Sequence, residues 1–597
     1  MKFSCRIDGD IIVCTLTPDR SLSHATLCFS GMAPMEPASG ATLQYSLGSY
    51  TELALPDISE GQAHEIQVRY VGGYRPANRA WMPLGPYLRV DGQAIPLPPV
   101  PFGRRPVQYK ATEHFHGLPI APQPTHWRPA ECGSVAVDGF DISGDALAAT
   151  AELAERHKLP FKGSFPVEIE RRDLPPDAYL LTISENKVCI AASSYGGEFY
   201  AGVTLLTLLQ NGPLPCGEIV DEPRFAWRGQ HLDTARHYYE PRTIMALLDL
   251  MAMLKLNRFH WHFSDDEAFR IELDALPELA QKTAFRGEGQ TLPGLFTGET
   301  CQGGTYSKKT VRQIIDHAAK LNIEVMPEIE TPAHALALTT VYPDTRDPGD
   351  NGQEKSVQGY ARNALNPAMP KTWELLDILI GEIADLFPFD RLHLGCDELP
   401  TDTWMSSPKA RALMAEHGLE TTHDLQGWTM AKLAARVVAL GKAPAAWEEA
   451  ALGSNGGIGH GALLFSWTGQ GPGLDAARSG YDVIMTPAQH VYLDMAHTDD
   501  VDDWGASWAA FVDLPDTINW DPVPDATLAG NILGVQGAFW SEFTTRDEDL
   551  WPMLMPRMLG VSMMAWQREN VTTDALFALA ARYAVNAHGR LALGAKS

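Results

Sequence analysis

Hydrophobic and polar positions divide the chain into three stretches with different periodicities. In the first stretch, short apolar runs are separated by turn residues, and no helical period recurs. Alternation with a period of two is typical of half-buried strands, so residues 1–100 are predicted to form a small, sandwich-like β-domain. The predicted strands are Asp10–Leu16, Ala25–Phe29, Ala41–Tyr45 and His64–Tyr70.

The second stretch, residues 101–222, mixes both periods. Helical spacing is found over Ala146–His157 and from Ser193 onward, whereas Val167–Ile169 and Ala178–Ser184 are typical of strands. We therefore predict a small α+β domain that precedes the rest of the chain.

From residue 223 onward, strand and helix patterns alternate. One predicted helix, Pro241–Leu256, has proline in its first turn, and another, Lys308–Leu321, follows Ser307 as a candidate N-cap. Repeated strand–helix units of this kind predict an α/β fold, a (β/α)8 TIM barrel over residues 223–597. The predicted barrel strands are Gln230–Leu232, Arg258–Phe263, Ile323–Ile329, Arg391–Leu394, Ala443–Trp447, Ala462–Trp467, Asp482–Met485 and Ile532–Trp540.

Charge and composition exclude several classes of function. The 597 residues carry 47 Lys and Arg against 74 Asp and Glu, which gives a net charge of −27. Binding to nucleic acid or to an anionic membrane requires clustered positive charge, and the chain has no Lys/Arg-rich block. No uninterrupted apolar run is long enough to span a membrane. We therefore expect neither nucleic acid nor membrane as a partner.

The amino terminus and the cysteines bear on location. Charges at Arg6, Asp8 and Asp10 interrupt any apolar signal segment. None of the 8 cysteines forms a Cys-x-x-Cys pair, which argues against a zinc ribbon or a thioredoxin-type site. We therefore expect free thiols and a reducing, cytoplasmic location.

Acidic and aromatic side chains follow nearly every predicted barrel strand. The carboxyl ends of the strands form the active-site face of a TIM barrel, so these side chains are expected to meet there. Indole faces pack on the apolar face of a pyranose, while carboxylates and arginine bind its hydroxyl groups. This pattern predicts a sugar pocket. The charged and aromatic side chains that follow the predicted strands are Asp233, Arg236, Asp265, Asp266, Glu328, Glu330, His334, Asp397, Glu398, Trp447, Glu448, Glu449, Trp467, Tyr492, Asp494, Trp540 and Glu542.

The most specific segment is Arg391-Leu-His-Leu-Gly-Cys-Asp-Glu398, an apolar strand that ends in two adjacent acids. Two acids that flank a glycosidic bond from separate strands stand about 5 Å apart for retention or about 6.5–9.5 Å apart for inversion. Neighbours in the chain do not flank the bond easily. One of them can act as the acid while the other orients a group on the substrate. Two close carboxylates are also expected to raise one pKa, which suits a general acid near neutral pH.

This segment resembles the His-x-Gly-Gly-Asp-Glu signature of glycoside hydrolase family 20, the β-N-acetylhexosaminidases. The resemblance extends from about Phe225 to Trp566, and the α+β domain is similar to the companion domain usual in that family. The first hundred residues resemble no domain that we can name. The segments that are similar to the family's barrel strands are Arg228–Tyr238, Leu256–Asp266, Pro327–His334 and Phe539–Glu542.

The resemblance implies substrate-assisted catalysis, which the family uses instead of two flanking carboxylates. It implies that Glu398 protonates the leaving oxygen and later deprotonates water. It implies that Asp397 holds the substrate's 2-acetamido group, whose carbonyl oxygen attacks C1 to form an oxazoline-type intermediate. Tyr492 would steady that oxygen, and Asp265 with His334 would support Glu398. An intramolecular nucleophile gains effective molarity, and two displacements retain the anomeric configuration.

The resemblance also implies how the terminal sugar is held. The expected substrate is an oligosaccharide or glycoconjugate with a non-reducing terminal β-linked GlcNAc or GalNAc, which is removed as a single sugar. Neither a cofactor nor a metal is implied, and the sequence leaves a homo-oligomer open. The pocket walls would be Trp447, Trp467 and Trp540, and the hydroxyl-binding residues would be Arg236, Asp494 and Glu542.

Several positions depart from the family pattern without removing a catalytic residue. Cys396 replaces the usual Gly before the acids, which would narrow the pocket floor or make it sensitive to thiol reagents. Glu330 replaces an Asp, Ala333 replaces a Gly, and Glu267 stands where Gln is common. Tyr492 lies in His-Val-Tyr-Leu-Asp instead of Pro-Trp-Tyr-Leu-Asp. These departures bear on substrate preference.

Three alternatives stay open at this point. A disaccharide-releasing enzyme of the lacto-N-biosidase type would need a wider pocket. A non-catalytic glycan-binding protein is expected to lack Glu398. A metal-dependent hydrolase is suggested by His260-Trp-His262, which puts two imidazoles on one strand face, although packing in the barrel explains them as well. Such hydrolases take further ligands from the fifth, sixth and eighth strands, where this chain has Trp447, Trp467 and Trp540.

Overall fold

The computed structural model describes residues 1–103, 109–110, 115, 117–568 and 571–593. Two antiparallel sheets at the amino terminus face each other, and side chains such as Ile12 and Val68 of one sheet share a core with Leu27 and Leu88 of the other. The 4-stranded sheet has the order Lys2–Asp8, Ile11–Thr17, His64–Tyr70, Met35–Ser39. The 5-stranded sheet has the order Thr42–Leu47, Tyr50–Ala54, Thr26–Ser30, Leu84–Val90, Gln93–Pro96.

This architecture confirms the predicted β-rich sandwich, although several of its strands were not predicted. Met35–Ser39 contains Pro37 and lies at a sheet edge, where proline is tolerated. Leu84–Val90 contains Gly85 and Pro86 and pairs with an irregular register. Both strands lack the regular apolar alternation by which strands are recognised in a sequence.

The α+β domain packs two helices against one mixed sheet. The helices are Asp145–His157 and Tyr195–Leu209, and Ser194 caps the second by accepting a hydrogen bond from the backbone N of Gly197. Lys255 of the barrel reaches Asp221 of this domain at 2.8 Å. The 5-stranded sheet has the order His126–Val135, Leu214–Asp221, Tyr179–Ile183, Val188–Ala192, Val167–Arg171.

The third part is a closed barrel of parallel strands, as the sequence predicted. The first and last strands approach so closely that a Cβ atom on Gly534 would lie 2.1 Å from the carbonyl oxygen of Trp227. A glycine is therefore needed where the barrel closes. The strands, in chain and spatial order, are Trp227–Asp233, Arg258–His262, Glu324–Thr331, Arg391–Gly395, Ala443–Trp447, Leu463–Ser466, Asp482–Met485 and Ile532–Gly537.

Helices surround the barrel, with one interruption. The fifth strand is followed by a 3₁₀ turn, Glu448–Ala451, so the predicted alternation of strand and α-helix fails there. Ser307 caps its helix through the backbone N of Thr310, as predicted. The α-helices are Pro241–Met253, Pro277–Thr283, Lys308–Lys320, Leu336–Val341, Pro370–Leu386, Pro408–His417, Thr422–Ala439, Gln470–Arg478, Ala488–Val491, Leu550–Leu554, Arg557–Trp566 and Thr573–Ala580.

Short β-hairpins lie in two of the barrel loops and near the carboxyl terminus. They are Ser264–Asp265 with Ala268–Phe269, Phe285–Gly287 with Cys301–Gly303, and Tyr583–Val585 with Leu591–Leu593. Across the described ranges, no helix is both long enough and apolar enough to cross a membrane.

Candidate active site

A cavity of about 1050 Å³, counting its open mouth, lies at the carboxyl ends of the barrel strands. Its position agrees with the functional face of TIM barrels. Polar and aromatic side chains alternate around it. The lining residues are Met32, Ala33, Tyr74, Trp81, Arg236, Phe296, His334, Val357, Gln358, Asp397, Glu398, Trp447, Trp467, Tyr492, Trp508, Trp540 and Glu542.

The acid pair follows the fourth strand in a strained turn. Gly395, Cys396 and Glu398 all have left-handed backbone angles, with φ values of 67°, 87° and 51°. A Cβ atom at Gly395 would lie 2.1 Å from Oε2 of Glu330, so a side chain does not fit there without displacement of that carboxylate. Such strain in non-glycine residues is concentrated at functional sites, where surrounding contacts maintain it.

His334 joins this pair to a second set of carboxylates. Its Nε2 lies 3.3 Å from Oε2 of Glu398 and 3.6 Å from Oδ2 of Asp397. Its Nδ1 lies 3.0 Å from Oδ1 of Asp265 and 3.3 Å from Oδ2 of Asp266. Burial disfavours the imidazolium, but the carboxylates of Asp265 and Asp397 outweigh it and raise the pKa of His334 well above its usual value.

Asp397 carries the raised pKa expected of a close acid pair. Burial and the neighbouring carboxylate of Glu398 raise its pKa, although His334 acts in the opposite direction. The side chain of Asp397 is 12% exposed and that of Glu398 is 23% exposed. The buried Oδ1 of Asp397 has no hydrogen-bond partner in the protein. An unpaired buried acceptor is costly, so this oxygen is poised for a donor from a ligand.

Arg236 lines the cavity, where three carboxylates fix its guanidinium. Its guanidinium lies 2.8 Å from Asp265, 2.8 Å from Glu267 and 3.3 Å from Asp233. The same guanidinium lies over the Trp540 ring, with Cζ 5.3 Å from the ring centroid. Arg236 therefore reaches the cavity as a rigid cation.

Glu542 and Asp494 are buried acids beside this cation. Burial raises the pKa of Glu542 to about 7, against the opposing effect of Arg236. Burial and the charge of Glu542 raise the pKa of Asp494 well above its usual value. Oε2 of Glu542 and Oδ1 of Asp494 have no hydrogen-bond partner in the protein. Of the two acids, Glu542 lines the cavity and is the one whose carboxyl group can accept a hydrogen bond from a bound ligand.

Aromatic side chains form the remaining walls. Trp467 and Tyr492 are stacked, with ring centroids 6.4 Å apart and planes inclined by 12°. Trp540 lies 5.9 Å from Trp447 and 6.2 Å from Tyr492 between ring centroids. Nε1 of Trp467 donates to Glu449, which holds the ring in place. The enclosed aromatic surface suits the apolar face of a sugar.

A buried cluster of histidines lies beneath the cavity. Nδ1 of His262 lies 2.6 Å from Oε2 of Glu328, and Nε1 of Trp447 donates to Oε1 of Glu328 at 2.8 Å. Nδ1 of His393 lies 2.8 Å from Oε1 of Glu328 and accepts from the backbone N of Gly395 at 3.2 Å. His260 Nδ1 lies 3.0 Å from Nε2 of Gln536. These contacts explain the His260-Trp-His262 motif by packing and hydrogen bonding.

Three sets of side chains bring possible metal-ligating atoms within 4.8 Å of one another, namely His231, His262 and Glu328; His260, Glu328 and His393; and Asp265, Asp266 and His334.

The departures from the family pattern lie behind the cavity surface. Cys396 is buried, and its Sγ accepts from Nε2 of Gln426 at 3.0 Å. Because Cys396 does not line the cavity, the expectation of a narrower or thiol-sensitive floor is wrong. Glu267 binds Arg236 instead of facing the cavity. Burial and the charge of Asp397 raise the pKa of Glu330 well above its usual value, and both of its carboxylate oxygens lack a hydrogen-bond partner.

Most of the predicted site residues meet at the cavity, with two exceptions. Asp265 lies behind His334 and does not contribute to the lining, in keeping with a supporting position. Asp494 lies behind Glu542 and is also absent from the lining. The catalytic and binding roles of all these residues stay predictions.

Several lining residues were not predicted from the sequence. Gln358 and Trp508 lie in long loops after the third and seventh strands, and only their position after a strand offered a signal. Met32, Tyr74 and Trp81 belong to the N-terminal domain, and no local pattern connects them with the barrel. The other residues missed are Ala33, Phe296 and Val357.

Two family models match the chain. Residues 225–569 match the catalytic domain of glycosyl hydrolase family 20, and residues 118–222 match domain 2 of the same family. A β-hexosaminidase from Vibrio furnissii is 36% identical over 399 residues, which are 65% of this chain and 65% of that protein. A β-hexosaminidase from Porphyromonas gingivalis is 31% identical over 444 residues, which are 71% of this chain and 56% of that protein.

One solved structure resembles nearly the whole chain. It is a GH20 exo-β-N-acetylglucosaminidase from Vibrio harveyi in complex with N-acetylglucosamine, with a TM-score of 0.86 and 28% identity. The alignment covers 97% of this chain and 96% of that one, so it includes the N-terminal sandwich. Together, the matched catalytic model, the closed barrel and the acid pair at its mouth lead to one conclusion: the chain belongs to glycosyl hydrolase family 20.

Proposed function

We propose that the protein is an exo-β-N-acetylhexosaminidase that removes a terminal β-linked GlcNAc or GalNAc from short glycans. The observation that carries this proposal is the acid pair Asp397-Glu398, which lies at the mouth of an aromatic-walled cavity in a family 20 barrel. The activities for which the relatives and the Vibrio harveyi structure are named support the same class of reaction.

In the first step, the substrate supplies the nucleophile. The carbonyl oxygen of the 2-acetamido group attacks C1, the bond from C1 to the leaving oxygen breaks, and Glu398 transfers its proton to that oxygen. Asp397 accepts a hydrogen bond from the acetamido N–H and balances the positive charge that develops on the oxazolinium ring. The unpartnered Oδ1 of Asp397 is available for this contact. Tyr492, which lines the same cavity, donates its O–H to the acetamido oxygen in this scheme.

In the second step, water opens the ring. The carboxylate of Glu398 removes a proton from water while the water oxygen attacks C1, and the bond from C1 to the acetamido oxygen breaks. The original acetamido group is restored, and Glu398 is again protonated. Two successive displacements at C1 give overall retention.

The expected release of one sugar at a time is supported by the cavity wall around Arg236. Arg236 is fixed there by three carboxylates, and Trp540 and Glu542 line the same cavity. Glu542 has an unpartnered oxygen and is the acceptor for hydroxyls of the terminal sugar. Release of a disaccharide would require space beyond this wall.

The test is a release assay with aryl β-glycosides of GlcNAc, GalNAc and glucose side by side. The proposal expects release from the two N-acetylated sugars and, because glucose lacks the acetamido nucleophile, at least ~100-fold lower kcat/KM for the glucoside. Release of a disaccharide from a longer substrate would favour the lacto-N-biosidase type. Binding of these sugars without any release would favour a glycan-binding protein.

A further inference from the structure

The N-terminal sandwich contributes directly to the wall of the catalytic cavity. Met32, Ala33, Tyr74 and Trp81 line the cavity together with the residues of the barrel. These residues come from two loops, one after the strand Thr26–Ser30 and the other after the strand His64–Tyr70.

A network of polar contacts fixes the sandwich on the barrel. Arg89 forms ion pairs at 2.8 Å with Glu288 of the barrel and at 2.9 Å with Glu52 of its own domain. The backbone N of Phe296 donates to Oγ of Ser49 at 2.8 Å, and Nδ2 of Asn78 donates to the carbonyl oxygen of Gly505 at 3.1 Å. The contacts reach two barrel loops, residues 288–300 and the loop that contains Gly505, so they restrict rotation of the sandwich against the barrel.

A shared apolar core strengthens this contact. Tyr50 and Tyr87 of the sandwich pack in one buried cluster with Leu295, Leu336 and Tyr360 of the barrel. A Cβ atom at Gly48 would lie 2.0 Å from the ring of Tyr360, which shows how closely the two parts approach. The wall is therefore positioned by packing as well as by polar contacts.

The wall adjoins the acid side of the cavity. Nε2 of Gln358 donates to Oε2 of Glu398 at 3.2 Å. The next residue, Gly359, abuts the N-terminal loop, since a Cβ atom there would lie 2.5 Å from Cγ of Pro34. Met32 and Ala33 precede Pro34 and thus line the cavity close to Glu398. In the proposed reaction, Glu398 faces the leaving group.

The wall itself is apolar and accessible. Tyr74 is 48% exposed at the rim, although most large apolar side chains of the sandwich are buried. Gly72 and Gly73 precede it with φ values of 87° and 80°, a backbone course that favours glycine. Trp81 is 5% exposed, and its buried indole N–H has no hydrogen-bond partner in the protein. Through Tyr74 the wall thus offers an exposed aromatic face, the kind of surface that packs on a pyranose.

We propose that the N-terminal sandwich is a specificity element. The part of the cavity wall that it supplies, with Tyr74 as the main contact, binds the sugar on the leaving-group side of the scissile bond. The inference rests on the proposed function and names the ligand as the second pyranose of a short β-linked oligosaccharide. The Met32–Ala33 turn and Tyr74 stand beside the path of this sugar. The sandwich therefore favours substrates in which a second ring follows the terminal N-acetylhexosamine.

Binding without turnover tests the inference. In a Glu398→Gln background, calorimetry measures the Kd of N,N′-diacetylchitobiose and of methyl β-N-acetylglucosaminide, which lacks the second ring. Adding Tyr74→Ala is expected to weaken disaccharide binding roughly 3- to 10-fold more than methyl-glycoside binding, the effect of one lost aromatic contact. Tyr74→Phe keeps the ring and should restore most of the preference. Tyr45→Ala is the matched control, because Tyr45 is 45% exposed in the same domain but does not line the cavity.

The outcomes separate this inference from the proposed function. If Tyr74→Ala changes both affinities equally or leaves both unchanged, the inference is overturned, whatever the activity of the unmodified protein. If the unmodified protein releases no sugar from either compound, the proposed function fails, even where Tyr74 still governs disaccharide binding. If neither sugar binds, the inference is overturned, and release by the unmodified protein still decides the proposed function.

Discussion

His334 stands between Glu398 and a buried carboxylate, with its Nε2 3.3 Å from Oε2 of Glu398 and its Nδ1 3.0 Å from Oδ1 of Asp265. The carboxylates of Asp265 and Asp397 raise the pKa of His334 well above its usual value, which favours the imidazolium. In the proposed reaction, a cation at this distance would stabilise the carboxylate that is left once Glu398 has transferred its proton. Asp265, which contacts His334, would then act indirectly by holding it in place.

Replacement of His334 is expected to affect turnover more than binding. We predict that His334→Asn lowers kcat about 10- to 100-fold with a smaller change in KM, because the carboxylate of Glu398 loses its neighbouring cation. Steady-state kinetics on an aryl β-GlcNAc glycoside measures both. His317→Asn is a suitable control, since His317 pairs with Asp249 at 2.9 Å and does not line the cavity. A His334→Asn protein with kcat within twofold of the unmodified protein would argue against this role.

Loss of the general acid is expected to depend on the leaving group. We predict that Glu398→Gln lowers kcat/KM about 10²- to 10⁴-fold for an oligosaccharide, whose leaving oxygen needs a proton. An activated aryl glycoside needs less protonation and should show a smaller loss in its first step. Comparing the two substrates tests the assignment. An equal, small loss for both would remove Glu398 as the acid.

Asp397 is expected to act through the acetamido group. We predict that Asp397→Asn lowers kcat/KM for N-acetylated substrates about 10²- to 10³-fold, because the developing positive charge loses its counter-ion. The same change should weaken binding of a thiazoline that mimics the cyclic intermediate, with less effect on methyl β-N-acetylglucosaminide. Equal affinity for the thiazoline before and after the substitution would contradict the proposed contact.

The pH dependence of kcat/KM reports groups of the free enzyme. Burial raises the pKa of Glu542 to about 7, so its carboxyl is neutral below that pH and charged above it. If the Glu542 carboxylate accepts hydrogen bonds from sugar hydroxyls, kcat/KM increases as this group loses its proton. The pH profile then has an ascending limb near this pKa. Glu542→Gln should lower kcat/KM and move the limb to lower pH. A limb that stays unchanged in the variant would assign it to another group.

The barrel and most of the site could be predicted because their signals are local. Short apolar runs marked each barrel strand, and the residues directly after them, such as Asp397, reach the cavity through the common orientation of parallel strands. The end of the last strand was placed too late, since the strand stops at Gly537 and Trp540 lies in the following loop. Apolar runs do not reveal where pairing ends.

The N-terminal side of the cavity could not be predicted. Tyr74 is far from Trp508 in the chain, and nothing in its local sequence indicates that it meets the barrel. The same holds for Asp494, whose place behind Glu542 depends on how two loops pack. Such contacts depend on tertiary packing between distant segments. The cytoplasmic location stays a prediction.

The central claim is that the substrate's acetamido oxygen is the nucleophile. It is tested most directly with aryl β-glycosides of glucosamine whose N-acyl group is acetyl, fluoroacetyl, difluoroacetyl or trifluoroacetyl. Each fluorine withdraws electrons from the carbonyl oxygen, so the account predicts a steep, stepwise fall in kcat/KM along the series. Rates that stay level across the series would contradict the account, because they would show that the N-acyl oxygen does not attack C1 in the step that governs kcat/KM.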